Sequence, residues 1–304
     1  SPDHKLLAWS SDEKGSEYFT TRVRDIASGK DLPDSVSDCD GDVIWRCDSR
    51  AFFYTQLDDQ HRPCRIYRHD LGTDSAHDKL IFEDRDPRYF LAINGTQSGR
   101  YATIDMNDHD SSEVWLLDLT VADAKPVLIQ KRKRKLQYEV SDYGDRLFIL
   151  TNADGAEDFK IVETTVDKLA MEHWRDCEPH RPGRLITDIN TFARHLVWSE
   201  LENGLPRIVI RNLKSGKQHA IAFEDEAYDL GVDDVAEYDT DILRIAYSSM
   251  TTPWSVYDYN METRERVLRK RQKIPSGHNP KNYVSRRLFA TSHDGARVPI
   301  SVLY

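Results

Sequence analysis

The sequence predicts an all-β chain built as a β-propeller, on three observations. A short apolar run ending in small polar residues recurs six times: LLAWSS at 6–11, AFFYTQ at 51–56, YATIDM at 101–106, LFILTN at 147–152, HLVWSE at 195–200 and RIAYSS at 244–249. Each is followed by a polar loop and then a second apolar run: YFTTRVRD, RIYRHD, EVWLLD, FKIVET, RIVIRN and WSVYDYN. Corresponding positions lie 45 residues apart between Asp25 and Asp70, and 48 apart between Asp70 and Asp118 and between Asn212 and Asn260. Several short strands repeated at such a period are the signature of propeller blades. A helical solenoid would need a 3.6-residue apolar period, and only Val166–Trp174 has a helix-like pattern.

With the strands of a blade named A to D outward, the first runs are strands B, the second are strands C, and the loops between them are B–C loops. A polar turn precedes every strand B: SPDHK, CDSR, TQSGR, DYGDR, NTFAR and YDTDI. Strand C ends at Asp25, Asp70, Asp118, Asn212 or Asn260, usually just before Ser, Thr or Gly. Asp and Asn side chains accept hydrogen bonds from the backbone just downstream, which closes a tight turn. The fourth repeat departs from this with ETTVDK at 163–168. The first repeat begins at its A–B turn, so its innermost strand is expected to lie before Ser1. Residues 1–282 are expected to form six four-stranded blades, the first incomplete. Residues 283–304 end in a polar turn at Asp294-Gly295 and the apolar run VPISVLY. They are expected to be a hinge and first strand leading into a further domain.

Composition narrows the partners. The formal net charge of −10 disfavours nucleic acid and favours basic peptides or surfaces. No apolar stretch approaches the roughly 18 residues of a membrane span, and the N-terminus has no secretory pattern. Cys39, Cys47, Cys64 and Cys177 form no CxxC pair, which argues against a disulfide framework or a zinc site and fits free thiols in the cytoplasm. The basic run Lys131–Lys135 reads as a solvated loop or a charge-guarded edge strand.

Chemical motifs are missing. Gly95-Thr-Gln-Ser-Gly99 places its serine one position late for a nucleophile elbow, and a strand rather than a helix follows. There is no HExxH, GxGxxG or P-loop. Asp38-Cys-Asp-Gly-Asp42 begins like a calcium loop, lacks the downstream glutamate, and reads as a solvated turn. No catalytic residue, metal ligand or cofactor is expected within this chain.

The strings SPDHKLLAWSSDEKGSEYFTTRVRDIASGKDLPD, RPCRIYRHDLGTD, SSEVWLLD, LPRIVIRNL, YSSMTTPWSVYDYN and SHDGARVPISVLY resemble, in order, the propeller of the oligopeptidase B group in the prolyl oligopeptidase family of serine peptidases. The resemblance implies a two-domain enzyme in which a seven-bladed propeller caps an α/β-hydrolase domain. It implies cleavage of short peptides after Lys or Arg by a triad in that hydrolase domain. On this reading the present chain supplies six blades, lacks the triad and is inactive alone. The alternative is a stand-alone propeller that binds a protein partner.

The B–C loops are expected at Lys14–Glu17, Asp58–Pro63, Asn107–Ser112, Asn152–Asp158, Glu200–Leu205 and Ser248–Pro253. Asp58, Asp59, Asp108, Asp110, Glu157, Asp158, Glu200 and Glu202 make this rim acidic, which suits steering of basic peptides. Of these, Asp58 and Asp59 are the candidate steering residues. Arg62 is the candidate ion-pair partner for a hydrolase domain, with Thr251 and Thr252 as hydrogen-bonding groups at the same interface.

Overall fold

A computed structural model describes residues 1–233 and 235–304. Strands dominate, and among the described residues the only helical segments are four single turns of 3₁₀ helix, at 75–77, 153–155, 171–173 and 280–282. The helix-like stretch Val166–Trp174 contributes only the turn Met171–His173.

The first blade consists of β1 (Leu6–Ser11), β2 (Phe19–Asp25) and the start of β3 (Lys30–Trp45). The second consists of the end of β3, then β4 (Ala51–Leu57), β5 (Pro63–Asp70) and β6 (Lys79–Glu83). Because β3 serves both blades, they form one six-stranded sheet in the order β1-β2-β3-β4-β5-β6. Four-stranded antiparallel sheets follow. The third holds β7 (Phe90–Gly95), β8 (Tyr101–Asn107), β9 (Ser112–Asp118) and β10 (Val127–Gln130). The fourth holds β11 (Tyr138–Tyr143), β12 (Arg146–Thr151), β13 (Lys160–Thr165) and β14 (Arg175–Glu178). The fifth holds β15 (Arg184–Thr191), β16 (His195–Glu202), β17 (Leu205–Asn212) and β18 (Gln218–Ala220). The sixth holds β19 (Tyr228–Val232), β20 (Ile242–Ser249), β21 (Ser255–Asn260) and β22 (Arg266–Arg271). A separate hairpin, β23 (Ser285–Thr291) and β24 (Arg297–Leu303), ends the chain.

The six strand-B runs and six strand-C runs of the sequence therefore all fall on strands, and the architecture is that of a β-propeller domain. One expectation changes. Asp38-Cys-Asp-Gly-Asp42 lies inside β3, where Cys39 pairs with Phe19 on one side and Gln56 on the other. Asp38 and Gly41 take positive φ (56° and 99°), which kinks the strand as it passes from one blade to the next. A Cβ on Gly41 would sit 3.1 Å from the Phe19 ring, so both the backbone angle and the space favour glycine there.

The chain forms two compact units, Ser1–Ile149 with Glu163–Arg175, and Leu150–Val162 with Asp176–Tyr304; strands of the fourth sheet are divided between them. In the first unit, alternate residues of β4 serve two cores. Phe52 and Tyr54 pack with Val23, Val36 and Cys39, while Phe53 joins Ile66, Ile93, Ile104 and Leu117. A strand buried on both faces needs apolar residues at consecutive positions, which is why AFFYT reads as an unbroken run rather than an alternation. In the second unit, Val197, Ile208 and Ile210 of the fifth blade pack on Leu230, Leu243 and Ile245 of the sixth in the same way. None of the four cysteines is in a disulfide, and no helix among the described residues is long and apolar enough to cross a membrane.

Candidate functional site: the B–C loops and the terminal hairpin

In the first unit each B–C loop opens on an aspartate that organises it. Asp12 accepts hydrogen bonds from the backbone N–H of Lys14 (3.0 Å) and Glu17 (2.7 Å), and these donors, Glu17 foremost, hold its carboxyl down at about 2. Asp58 accepts from the N–H of Gln60 (2.8 Å) and Arg62 (3.0 Å). Asp108 accepts from the N–H of Asp110 (2.9 Å) and Ser111 (2.7 Å). Both carboxyls lie below the usual range, Asp58 chiefly through the Arg62 N–H and Asp108 chiefly through the Asp110 N–H. These groups thus close the turns and stay ionised well into the acid range.

The loops are tied to one another. Tyr18 Oη donates to the Asp58 carbonyl (2.7 Å), and its ring lies 4.1 Å from that of His61. Arg62 Nη2 donates to the carbonyls of Tyr89 (3.0 Å) and Asp86 (3.4 Å), and Tyr89 Oη lies 3.2 Å from Ser111 Oγ. Asp58 is half-buried and Asp59 exposed. Arg62, expected to face another domain, has its Nη2 committed to the segment that leads into the third blade.

In the second unit, Asp158 accepts from the N–H of Gly183 (2.7 Å). The expected loop Glu200–Leu205 shrinks to the turn Asn203-Gly204, because β16 runs on to Glu202 and β17 begins at Leu205. Glu200 is consequently not a rim charge. It is 3% exposed, accepts from Trp198 Nε1 (3.0 Å) and pairs with Arg207 (3.3 Å) and Arg184 (3.8 Å). Glu202 is neutralised by Arg181 and Arg207.

The sixth loop is held by Ser249, whose Oγ accepts from the N–H of Thr251 (3.2 Å) and Thr252 (2.9 Å). Thr251 is buried, and its carbonyl accepts from His278 Nε2 (2.8 Å); Thr252 is half-buried. Together with Pro253, Arg271, Ile274 and His278 they line an open cavity of about 220 Å³. Thr251 and Thr252 belong to the second unit, and Asp58, Asp59 and Arg62 to the first.

The terminal hairpin sits beside the B–C turn of the fifth blade. Glu226 accepts from Arg286 Nη1 (2.6 Å) and from the backbone N–H of Arg287 (2.8 Å). Arg287 Nη2 donates to the Asn203 carbonyl. Leu288, Phe289, Val298, Ile300, Leu303 and Tyr304 remain exposed. Glu226 was not legible as an anchor, since it stands in the polar segment FEDEAYD with nothing to mark a partner 60 residues on.

A family model described as the prolyl oligopeptidase N-terminal β-propeller domain matches residues 1–272. Dipeptidyl aminopeptidase BI of Pseudoxanthomonas mexicana is 32% identical over 307 residues, covering 100% of this chain and 42% of that protein. Protease 2 of Moraxella lacunata is 28% identical, covering 99% of this chain and 43% of that protein. Among solved structures, oligopeptidase B from Trypanosoma brucei with covalently bound antipain superimposes with a TM-score of 0.89 at 31% identity, covering 100% of this chain and 44% of that one. Oligopeptidase B from Leishmania major gives 0.89 at 25% identity, again over 100% of this chain and 44% of that one. The chain thus spans less than half the length of each of these relatives.

Proposed function

The chain belongs to the prolyl oligopeptidase family as its N-terminal β-propeller domain, and on that premise we propose that it is the substrate-gating half of a cytoplasmic serine oligopeptidase that cleaves short peptides after Lys or Arg. The reacting groups belong to an α/β-hydrolase partner domain of the same protein, and the chain alone is inactive. Residues 1–282 form the gate and residues 283–304 the connection to that partner. The observation that carries this reading is the hairpin β23–β24, an apolar strand pair pinned at the B–C end with its outward side chains uncovered. Such a surface needs a neighbour, and the hydrolase half is the neighbour it suits. The carboxylates of Asp12, Asp58 and Asp108 on B–C loops support basic peptides as substrates, since they keep their charge at any physiological pH.

A second reading, removal of dipeptides from free N-termini, is favoured by the name of the 32%-identical relative. One experiment separates the two. The protein joining this chain to its hydrolase half is incubated with N-blocked and N-free peptides carrying Arg, Lys or Leu at the cleavage position. Cleavage of blocked peptides after Arg and Lys is expected. Turnover of N-free peptides only, two residues at a time, would select the second reading, and no serine-reagent-sensitive turnover would reject both.

A further inference from the structure

Between Glu265 and Asp294 the chain runs through 28 residues without an Asp or Glu, although it holds 52 of them in all. This stretch carries β22, the linker to β23, and much of the wall of the cavity at the sixth B–C loop. Thr252 and Pro253 come to that cavity from the loop, Arg271 from the end of β22, and Ile274, His278 and Pro280 from the linker. The bond from His278 Nε2 to the Thr251 carbonyl (2.8 Å) fixes the linker wall in place. Among the described residues, no Asp or Glu lines the cavity. Its volume of about 220 Å³ is below the roughly 300–1,000 Å³ of cavities that hold drug-sized ligands. It has room for the end of a peptide rather than for its length.

Arg271 decides what the cavity takes. Its Nε donates to Ser255 Oγ (3.1 Å) and its Nη2 to Tyr257 Oη (3.0 Å). Ser255 is fully buried and donates in turn to the Pro253 carbonyl (2.7 Å). The guanidinium is thus oriented by two neutral hydroxyls, and among the described residues no carboxylate answers its charge. Arg244 and Arg269 of the same blade, by contrast, share the carboxylate of Asp258. Both Nη1 protons of Arg271 and one on Nη2 are left for a ligand, and a guanidinium edge of this kind grips the two oxygens of a carboxylate. The half-buried Thr252 hydroxyl is a further donor on the wall. Lys270, Lys273 and Lys281 add positive charge along the same stretch.

We propose that this cavity is a subsite for the C-terminus of the peptide substrate, with the free carboxylate on Arg271 and an apolar last side chain against Pro253, Ile274 and Pro280. The proposal rests on the peptidase reading above and adds a substrate feature to it: a free terminal acid at a set distance beyond the cleaved bond. The cavity opens at the B–C end, the side on which that reading puts the reacting groups. A pocket fixed in the fold selects one length of leaving segment. The acidic loops, acting through a long-range field, do not.

The test uses the full-length protein and peptides that end in Leu, with the segment after their single Arg lengthened one residue at a time. Each is compared as free acid and as amide. At one length the acid should have a KM lower by about tenfold, the worth of a charge-assisted hydrogen bond at an open site, and the advantage should fade at shorter and longer segments. Arg271→Gln should bring the acid-to-amide ratio to about one, and Arg271→Lys, which keeps the charge without the fork, should restore part of it. Arg271 is exposed at the end of an edge strand, and circular dichroism of both variants should match the parent. Equal KM for acid and amide at every length, an acid preference that survives Arg271→Gln, or one that is the same at all lengths overturns the assignment. Calorimetric binding of acetyl-Ala-Leu and of its amide, neither of which has an Arg or Lys to be cut, needs no turnover. The acid should bind about tenfold tighter, and Arg271→Gln should remove the difference. If no peptide is cleaved, the peptidase reading fails and this comparison decides the subsite alone: equal binding of acid and amide, or none of the acid, overturns it.

Discussion

Strand β4 and the hairpin β23–β24 are both rich in apolar residues, yet Ala51–Thr55 is buried throughout while the hairpin is exposed at almost every position. The difference lies in what flanks them. In β4, Phe52 meets the first blade and Phe53 meets the third, so each face is covered by a neighbour. The hairpin has its ladder, the Glu226 tie and the Arg287 contact to Asn203, and its apolar side chains stay exposed, Phe289 with the Arg297 guanidinium 4.5 Å from its ring. A two-stranded hairpin is marginal by itself. Burial between neighbouring sheets, not apolar content, is what makes a strand of this protein stable.

The largest test of that contrast is a pair of truncations read by denaturant unfolding. Phe52→Ala should cost about 3–5 kcal/mol, because it empties a fully buried site between two blades. Phe289→Ala in this chain should change stability by less than about 0.5 kcal/mol, since the ring is already 43% exposed. Comparable losses at both positions would mean that the hairpin packs against more than its own ladder.

A polar device beside the same core gives the next effect. The His69 imidazole is fully buried, 2.8 Å from Asp78 and 3.2 Å from Asp34, and Tyr54 Oη donates to the second oxygen of Asp78 (3.0 Å). Burial alone would lower the His69 pKa. The hydrogen bonds and charges of Asp78 and Asp34 together outweigh it and hold the value above its ordinary one. Stability from this shift is complete below the unfolded value of about 6.5 and fades as pH rises through the raised folded value. His69→Gln should cost about 3 kcal/mol at pH 6 by stranding two buried carboxylates. It should also flatten the decline of stability between neutral and alkaline pH. An unchanged pH profile would show that the imidazole is neutral in the fold.

What the sequence could reveal follows from the same contrast. Strands B and C stood out because burial on both faces writes an unbroken apolar run. The outer strands are short and partly exposed, as in Gln218–Ala220, and leave little pattern. Side-chain roles were less legible still. Arg132 sits in the basic run that read as solvated, yet it bonds Asp84 (2.7 Å) and Glu113 (3.2 Å) and covers the Tyr89 ring at 3.9 Å. Its partners lie 48, 19 and 43 positions away, so no local pattern could disclose them. Glu200 was misplaced for the opposite reason: Asn203-Gly204 supports so tight a turn that the strand keeps residues the spacing had assigned to a loop.

A smaller effect isolates the hairpin. Glu226→Gln removes the charge that holds Arg286 and weakens the acceptor for the Arg287 N–H. Amide hydrogen exchange should quicken across 285–303 and stay unchanged in β4 and β8. Faster exchange in those core strands as well would mean that the hairpin and the blades open as one unit.

The smallest expected effect concerns the loops and rests on the proposed peptidase activity. Asp58 and Asp59 are the steering candidates, but Asp58 also closes its own turn through the N–H groups of Gln60 and Arg62. Asparagine keeps that acceptor oxygen and removes the charge, so Asp58→Asn with Asp59→Asn tests charge without unravelling the loop. In the full-length enzyme the pair should lower kcat/KM for a dibasic peptide about threefold at low ionic strength, through slower encounter. At about 1 M salt, where the Debye length falls to roughly 3 Å, the loss should vanish. A loss that persists unchanged in high salt would assign the two residues to loop geometry or direct contact. No loss at either salt concentration would make these carboxylates turn-closing groups and nothing more, and the attraction of basic peptides would then have to arise elsewhere in the protein.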